Sequence, residues 1–352
     1  MRIGMIAPPW FPVPPPMYGG IEHVVALLAD GLVEAGVDVT LFASGDSRTA
    51  ATLAYVHPEA PSARIGEMVL ELEHVLACLS RAEDFDIVHD HSGLLAVTLA
   101  ASVDVPLVHT AHGPMTGHSR TLYEAALEFN PRASLISLTE AQRRPAPDLP
   151  WIATCPNAIE VHRFRFNEHP DDHLAFVGRM SPEKGAAEAI AVARAAGREL
   201  RIGAKCREPA EQAYFDEHVR PHLGKGVRYL GELNRTETAE LLGSAAAVLC
   251  PINWEEPFGL VMIEAAACGT PVVATRRGSV PEVVVDGVTG FVVDAPGDMP
   301  QALDRIEELD RHRIREVAEE RFTTPSMVDA YLRAYSLVLE SGVAPIASGL
   351  PA

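Results

Sequence analysis

PINWEEPFGLVMIEAAACGTPVVAT, residues 251–275, reads as the end of a strand, a loop, a helix, a tight turn and a second strand. Two carboxylates, Glu256 and Glu264, bracket the seven residues between them. Pro257 is expected at the first helical position, where its missing N–H costs nothing. Phe258 and Gly259 would then present free backbone N–H groups at a helix N-terminus, a cradle for an anion or a hydroxyl. Gly269 and Pro271 stop the helix. Residues 272–275, VVAT, read as a short buried strand. A loop after a strand, a helix N-terminus and two acids together describe a site for a polyhydroxylated ligand that carries phosphate.

The lead-in to this stretch is a second βα loop of similar logic. A strand at residues 173–177 runs straight into Gly178-Arg179-Met180-Ser181-Pro182-Glu183-Lys184-Gly185. Ser181-Pro182-Glu183 has the chemistry of a helix start. Arg179 and Lys184 flank it as a pair of cations suited to a diphosphate. Solvated surface charge is the plainer reading, but lysine is scarce here: Lys184, Lys205 and Lys225 are the only three. Further strands are expected at 200–203, 227–231 and 290–293, and helices at 188–196, 236–244, 299–320 and 326–341. Gly278-Ser279-Val280-Pro281-Glu282 opens one more helix.

In the N-terminal half, residues 3–7 form a short apolar run and a proline-rich loop follows, ending in Gly19-Gly20. From Ile21 the apolar positions 21, 24, 25, 28, 32 and 33 keep a helical period, and 37–43 form the next strand. This is a βαβ unit, so the sheet is parallel, and the loop lies at the carboxyl end of its first strand, where open α/β sheets bind ligands. The GxGxxG spacing of a dinucleotide fold is absent. Gly19-Gly20 could equally be turn chemistry. Residues 45–65 read as irregular and 66–81 as an amphipathic helix. Strands at 85–89 and 106–110 end in His89-Asp90-His91 and in Ala111-His112-Gly113. His89-x-His91 could open a metal-hydrolase site, but no later acids or histidines at strand ends complete a ligand set. His112 could be a structural hydrogen-bonder or a ligand contact. The polar stretch 160–172 reads as the interdomain linker.

At 352 residues the chain has room for two domains. A hydrophobic content of 47% with 22% charged residues is that of a soluble globular protein. A net charge of −19 argues against nucleic acid as a partner. The five cysteines are odd in number and lack CxxC spacing, which points to a reducing compartment without disulfides. No apolar run reaches the ~18 residues of a membrane span. The N-terminal residues look like a strand rather than a signal. A cytoplasmic location is expected, with attachment to the inner face of a membrane left open.

GRMSPEKG, EPFGLVMIEAAACGTPVVAT and GSVPEVVVDGVTGFVV, in that order, resemble family 4 of the retaining, nucleotide-sugar-dependent glycosyltransferases. The Gly-Gly loop, HTAHG and CPNAIE are similar to the family's N-terminal motifs, with Ala158 and Glu160 replacing the usual Gly and Asp. The resemblance spans nearly the whole chain and implies an α/β architecture of the GT-B type: two Rossmann-like domains with parallel sheets facing across a cleft. The domains would be 1–165 on the acceptor side and 166–325 for the donor, with the helix 326–341 packing back on the first and 342–352 a flexible tail. It further implies transfer of a hexose from a nucleotide sugar, UDP-sugar first and GDP-sugar next, to a sugar, lipid or small-molecule hydroxyl, with no cofactor and no metal. Arg179 and Lys184, beside Gly178, would hold the diphosphate. Glu264 would take the ribose hydroxyls, and Gly231 and Leu233 would meet the base. Glu256 with Pro257, Phe258, Gly259 and Leu260 would contact the sugar, as would His112. Gly19 and Gly20 would lie near the phosphate and acceptor. A sugar-nucleotide epimerase of the same fold and a non-catalytic nucleotide-sugar binder remain as alternatives. A phosphorylase type is disfavoured because so few lysines could hold pyridoxal phosphate.

Overall fold

The computed structural model of the chain describes residues 1–341, and the tail expected at 342–352 lies outside the described residues. The chain divides into two compact units. The first holds residues 1–15, 19–156 and the chain from Thr324 on; the second holds 16–18 and 157–323.

The first unit is built on seven strands: β1 (Arg2–Ile6), β2 (Asp38–Phe42), β3 (Thr52–Ala54), β4 (Ile87–Asp90), β5 (Leu107–Thr110), β6 (Ser134–Ser137) and β7 (Trp151–Thr154). Their order is β3-β2-β1-β4-β5-β6-β7, and every pairing is parallel. β4 and β5 are buried along their whole length, the pattern of parallel strands covered on both faces. The order reverses at β1, so the carboxyl ends of β1 and β4 flank a switch point. β3 lies in the stretch read as irregular. It has three residues, at the sheet edge, and none of them is fully buried, so no alternation betrays it.

The helix Gly20–Glu34 buries Val24, Val25, Leu28 and Leu32, one face at helical spacing. Gly31 lies on that helix where a methyl group would come within 2.6 Å of Val328. The absent side chain lets the helix Thr324–Ser341 approach closely. That last helix packs on the helix Gly20–Glu34 and on β7, with Tyr331 and Tyr335 fully buried. The helix expected at 66–81 runs from Met68 to Leu79.

The second unit has six parallel strands: β8 (Leu174–Arg179), β9 (Leu200–Lys205), β10 (Val227–Gly231), β11 (Ala247–Cys250), β12 (Val272–Thr275) and β13 (Gly290–Val293). Their order is β10-β9-β8-β11-β12-β13, with the switch point between β8 and β11. Burying a side chain such as Ile202, Leu249 or Ile263 stabilises the unit by roughly 1.5–3 kcal/mol each.

Two expectations need correction here. The stretch 160–172 is no free linker: Phe164 is buried, its carbonyl accepts from Arg315, and the Asn167 N–H donates to the Cys268 carbonyl at 3.2 Å. The helix expected at 299–320 is two helices, Met299–Leu303 and Arg311–Arg321. Asp310 caps the second by accepting from the His312 N–H at 2.9 Å. Apolar period alone does not reveal such a break, but the Asp does.

Gly290 pairs with Val272, and a Cβ there would lie 1.9 Å from the Val272 carbonyl oxygen. Gly290→Ala is expected to lower stability by roughly 1–3 kcal/mol. Gly297→Ala, in open space on the surface, should stay within about 0.5 kcal/mol of the parent. Thermal melts of the two variants check this.

Candidate functional site

In the second unit the two loops singled out in the sequence meet at the β8–β11 switch point. β8 ends in Gly178-Arg179, and a short 3-10 turn, Pro182–Lys184, follows. Gly185 then takes a left-handed conformation, φ 81°, and starts the helix Ala186–Ala195. It also lets the chain touch the loop after β11, because a Cβ on Gly185 would sit 2.2 Å from the Pro251 carbonyl oxygen. Asn253 fastens the contact: its N–H donates to the Glu183 carbonyl at 3.1 Å, and its Nδ2 donates to the Pro182 carbonyl at 3.1 Å.

These contacts bring Lys184 onto Glu256. The ammonium donates to Oε2 of the buried Glu256 carboxylate and lies 4.9 Å from the centre of the Trp254 ring. Trp254 Nε1 donates to the same oxygen at 3.0 Å. The loop is braced from beneath by the segment after β12. The Ser279 N–H donates to the Glu256 carbonyl at 2.8 Å, and Ser279 Oγ donates to the Phe258 carbonyl at 2.8 Å. Gly278 passes so close that a Cβ would come within 2.3 Å of the Glu256 carbonyl oxygen.

The helix itself begins later than the sequence suggests. Gly259, not Pro257, is the N-cap, at φ 83°, and the helix is Leu260–Ala267. Pro257 and Phe258 are buried in the approach to it. The left-handed turn needs glycine, and this requirement overrides the preference of proline for the first helical position. The N–H groups of Phe258, Gly259, Leu260 and Val261 donate to none of the described residues, so the cradle exists, shifted toward Leu260. Glu264 lies one turn further on. Its half-buried carboxyl makes no hydrogen bond or ion pair with another described residue. Burial raises its pKa, and the Arg235 guanidinium pulls it back in part.

Arg179 at the end of β8 pairs with Glu183. It also stands beside Lys205, its register partner on β9, with Glu211 near both: 3.9 Å from Arg179 Nε and 2.9 Å from Lys205 Nζ. At the end of β10, Gly231 turns at φ 85° and Glu232 takes a two-pronged bond from Arg207 at 2.6 and 2.9 Å. Leu233 packs over Gly203, where a Cβ would be 2.5 Å from its methyl group. The sequence reading missed Lys205, Glu211, Trp254 and the Gly278-Ser279 brace. Scarcity of lysine and the strand-end position of Lys205 were the available signals.

In the first unit Gly19 has φ 152° and Gly20 begins its helix. Just inside that helix, burial pushes the Glu22 carboxyl up to about 7, against an opposing backbone hydrogen bond. His112 follows β5 and hydrogen-bonds through Nε2 to His91 Nδ1 at 2.9 Å. His89, at the end of β4, bonds Thr110 Oγ1 at 2.9 Å and the Tyr335 hydroxyl at 2.7 Å. His109 bonds Asp90 at 2.6 Å and the Tyr123 hydroxyl at 2.7 Å. Burial holds His89 and His112 down to about 3 and His74 down to about 4. Among the described residues no group of three or more His, Cys, Asp or Glu is placed to hold a metal ion. No helix there is long and apolar enough to cross a membrane.

The family described as Glycosyl transferases group 1 matches residues 159–321, and the one described as Glycosyltransferase Family 4 matches residues 18–162. A glycogen synthase of Mycobacterium tuberculosis is 29% identical over 356 residues, covering 85% of this chain and 83% of the relative. The crystal structure of AviGT4, a glycosyltransferase involved in avilamycin A biosynthesis, superposes with a TM-score of 0.73 at 29% identity, covering 97% of this chain and 98% of that one. Anabaena HepE in complex with UDP-glucose superposes with a TM-score of 0.73 at 18% identity, covering 96% and 100%, which speaks to the fold alone.

Two outcomes follow from the geometry. Lys184→Met leaves the buried Glu256 carboxylate without its cation and should cost roughly 1–3 kcal/mol, with Glu256→Gln in the same chain recovering part of it, as read by chemical denaturation. The pH dependence follows from the depressed histidines. The unfolded chain protonates them below about 6.5 while the folded chain does not, so stability should fall as pH drops from 7 toward 4. Glu22, raised to about 7, works in the opposite direction, as do Glu71 and Glu264, which burial also raises. His74→Gln, which keeps a donor for the Ala7 carbonyl, should flatten the slope of Tm against pH.

Proposed function

We propose that this chain, which belongs to glycosyltransferase family 4 and is a hexosyltransferase of the α/β GT-B type, transfers a hexose from a UDP-sugar to an acceptor hydroxyl with retention at the anomeric carbon. One observation carries the reading. At a single switch point of the second unit stand two cations, a helix start whose N–H groups bond no described residue, a buried carboxylate and, one turn on, Glu264, whose carboxyl bonds no other described residue. Those are the complements of a diphosphate, a sugar and a ribose. A UDP-sugar is the donor that the sequence resemblance puts first.

In this reading Arg179 and Lys184 take the diphosphate, beside Gly178, and Glu264 accepts from the ribose hydroxyls. Gly231 and Leu233 line the base. Glu256 and the N–H groups from Phe258 to Leu260 meet the hexose, as does His112, while Gly19 and Gly20 serve the phosphate and acceptor. As the anomeric C–O bond to the diphosphate breaks, negative charge gathers on the leaving phosphate. The fixed cations and N–H dipoles stabilise that charge as it develops. Losing one such donor typically costs roughly 2.7–4 kcal/mol of barrier. The acceptor oxygen bonds the anomeric carbon on the face the phosphate leaves, and its proton passes to a phosphate oxygen. The chemistry asks for no cofactor, and the work is done in the cytoplasm.

Thermal unfolding with UDP, GDP, ADP and dTDP tests the assignment. A nucleotide at 100 times its Kd adds roughly 2.7 kcal/mol. UDP is expected to stabilise the parent chain, with the effect lost in Glu264→Ala and Arg179→Ala. If no nucleotide shifts the transition at millimolar concentration, the donor site is misassigned.

A further inference from the structure

The histidines at the ends of β4 and β5 are each hydrogen-bonded, and His91, the one bonded to His112, has no role in the reading above. His91 is buried, and its backbone N–H donates to the Ile6 carbonyl at 2.9 Å, which fixes the residue against β1. Its Nδ1 lies 2.9 Å from His112 Nε2. Its Nε2 is buried with no partner among the described residues. The neighbouring rings cannot supply one: both nitrogens of His89 are engaged by Thr110 and Tyr335, and both of His109 by Asp90 and Tyr123.

We propose that His91 is a positioning residue, whose Nδ1–H donates to His112 Nε2 and so holds the His112 ring in one orientation and one tautomer, with the proton on Nδ1. Two neutral imidazoles share a single proton across such a contact. If His112 donated, the His91 proton would sit on Nε2 and be a buried N–H without an acceptor, the kind of orphan that folded proteins most avoid. If His91 donates, only a lone pair is left bare. Burial keeps both rings neutral, His91 well below the ordinary histidine value and His112 near 3. His112 Nδ1, which bonds no described residue, then offers an N–H. On the reading that His112 meets the donor sugar, it acts there as a neutral hydrogen-bond donor to a sugar oxygen and not as a base.

Long-range proton–nitrogen NMR on the full chain with ring-15N histidine tests this, with His112 assigned by its loss in His112→Gln. The expected spectrum has Nε2 of His112 at the bare-nitrogen end of the shift range and Nδ1 at the protonated end. His91→Leu should give averaged shifts of mixed tautomers. His91→Asn, whose amide nitrogen can take the place of Nδ1 and donate, should restore the parent pattern. In calorimetry the gain in affinity of UDP-glucose over UDP should fall at least threefold in His91→Leu and hold in His91→Asn. A protonated Nε2 on His112 in the parent chain, or an unchanged His112 spectrum in His91→Leu, overturns the proposal. Absence of UDP binding in a parent chain with the expected tautomer would instead count against the donor-site reading alone. The parent spectrum decides the tautomer even if His91→Leu fails to fold.

Discussion

The carboxylate of Glu256 is withdrawn from water, and a carboxylate in that position needs a cation and a hydrogen-bond donor beside it. Lys184 and Trp254 fill those places. For Lys184 to arrive, the loops after β8 and β11 must touch, which demands a residue without a side chain at Gly185, and the Glu256 backbone demands a second at Gly278. Asn253 and Ser279 then tie each loop to its neighbour through backbone oxygens. One ion pair thus sets the path of three βα loops. The same path delivers the free N–H groups of the helix Leu260–Ala267 and, one turn later, Glu264.

The second unit also shows how an acidic chain keeps a cluster of cations. Arg179 is matched to Glu183, Lys184 to Glu256, Lys205 to Glu208 and Glu211, and Arg207 to Glu232. Each cation stands at or just after the carboxyl end of a strand. Held this way, the repulsion between like charges is offset by the carboxylates, and the long side chains are fixed in place. On the proposed reading, an incoming phosphate would exchange one anionic partner for another and would not have to order a flexible side chain.

Much of this was legible in the sequence because the relevant signals were local. Strand-end apolar runs, the capped helix and the Gly-Thr-Pro stop gave the order of elements, and both loops of the second unit were found as loops. What escaped depended on partners distant in the chain. The His91–His112 bond follows from the register that sets Asp90 beside His109, and no period or motif encodes that register. Gly259 displaced Pro257 as the start of its helix because a left-handed turn was needed, a demand invisible without the fold. The β3 edge strand was too short to alternate. The polar run at 160–172 looked like a linker because its buried anchors, Val161 and Phe164, sit among charged residues.

The helix Thr324–Ser341 is the last described element to leave the ribosome, yet it belongs to the first unit. Tyr335 closes the hydrogen bond on His89, and Tyr331 the one on Thr110. During synthesis the seven-stranded sheet must therefore wait, with His89 and Thr110 lacking their tyrosine partners, while the whole six-stranded unit is made. The second unit, nearly contiguous in the chain, can condense first. Topology thus reverses the order of maturation relative to the order of translation, and a fragment cut at the first boundary would lack the helix that completes it.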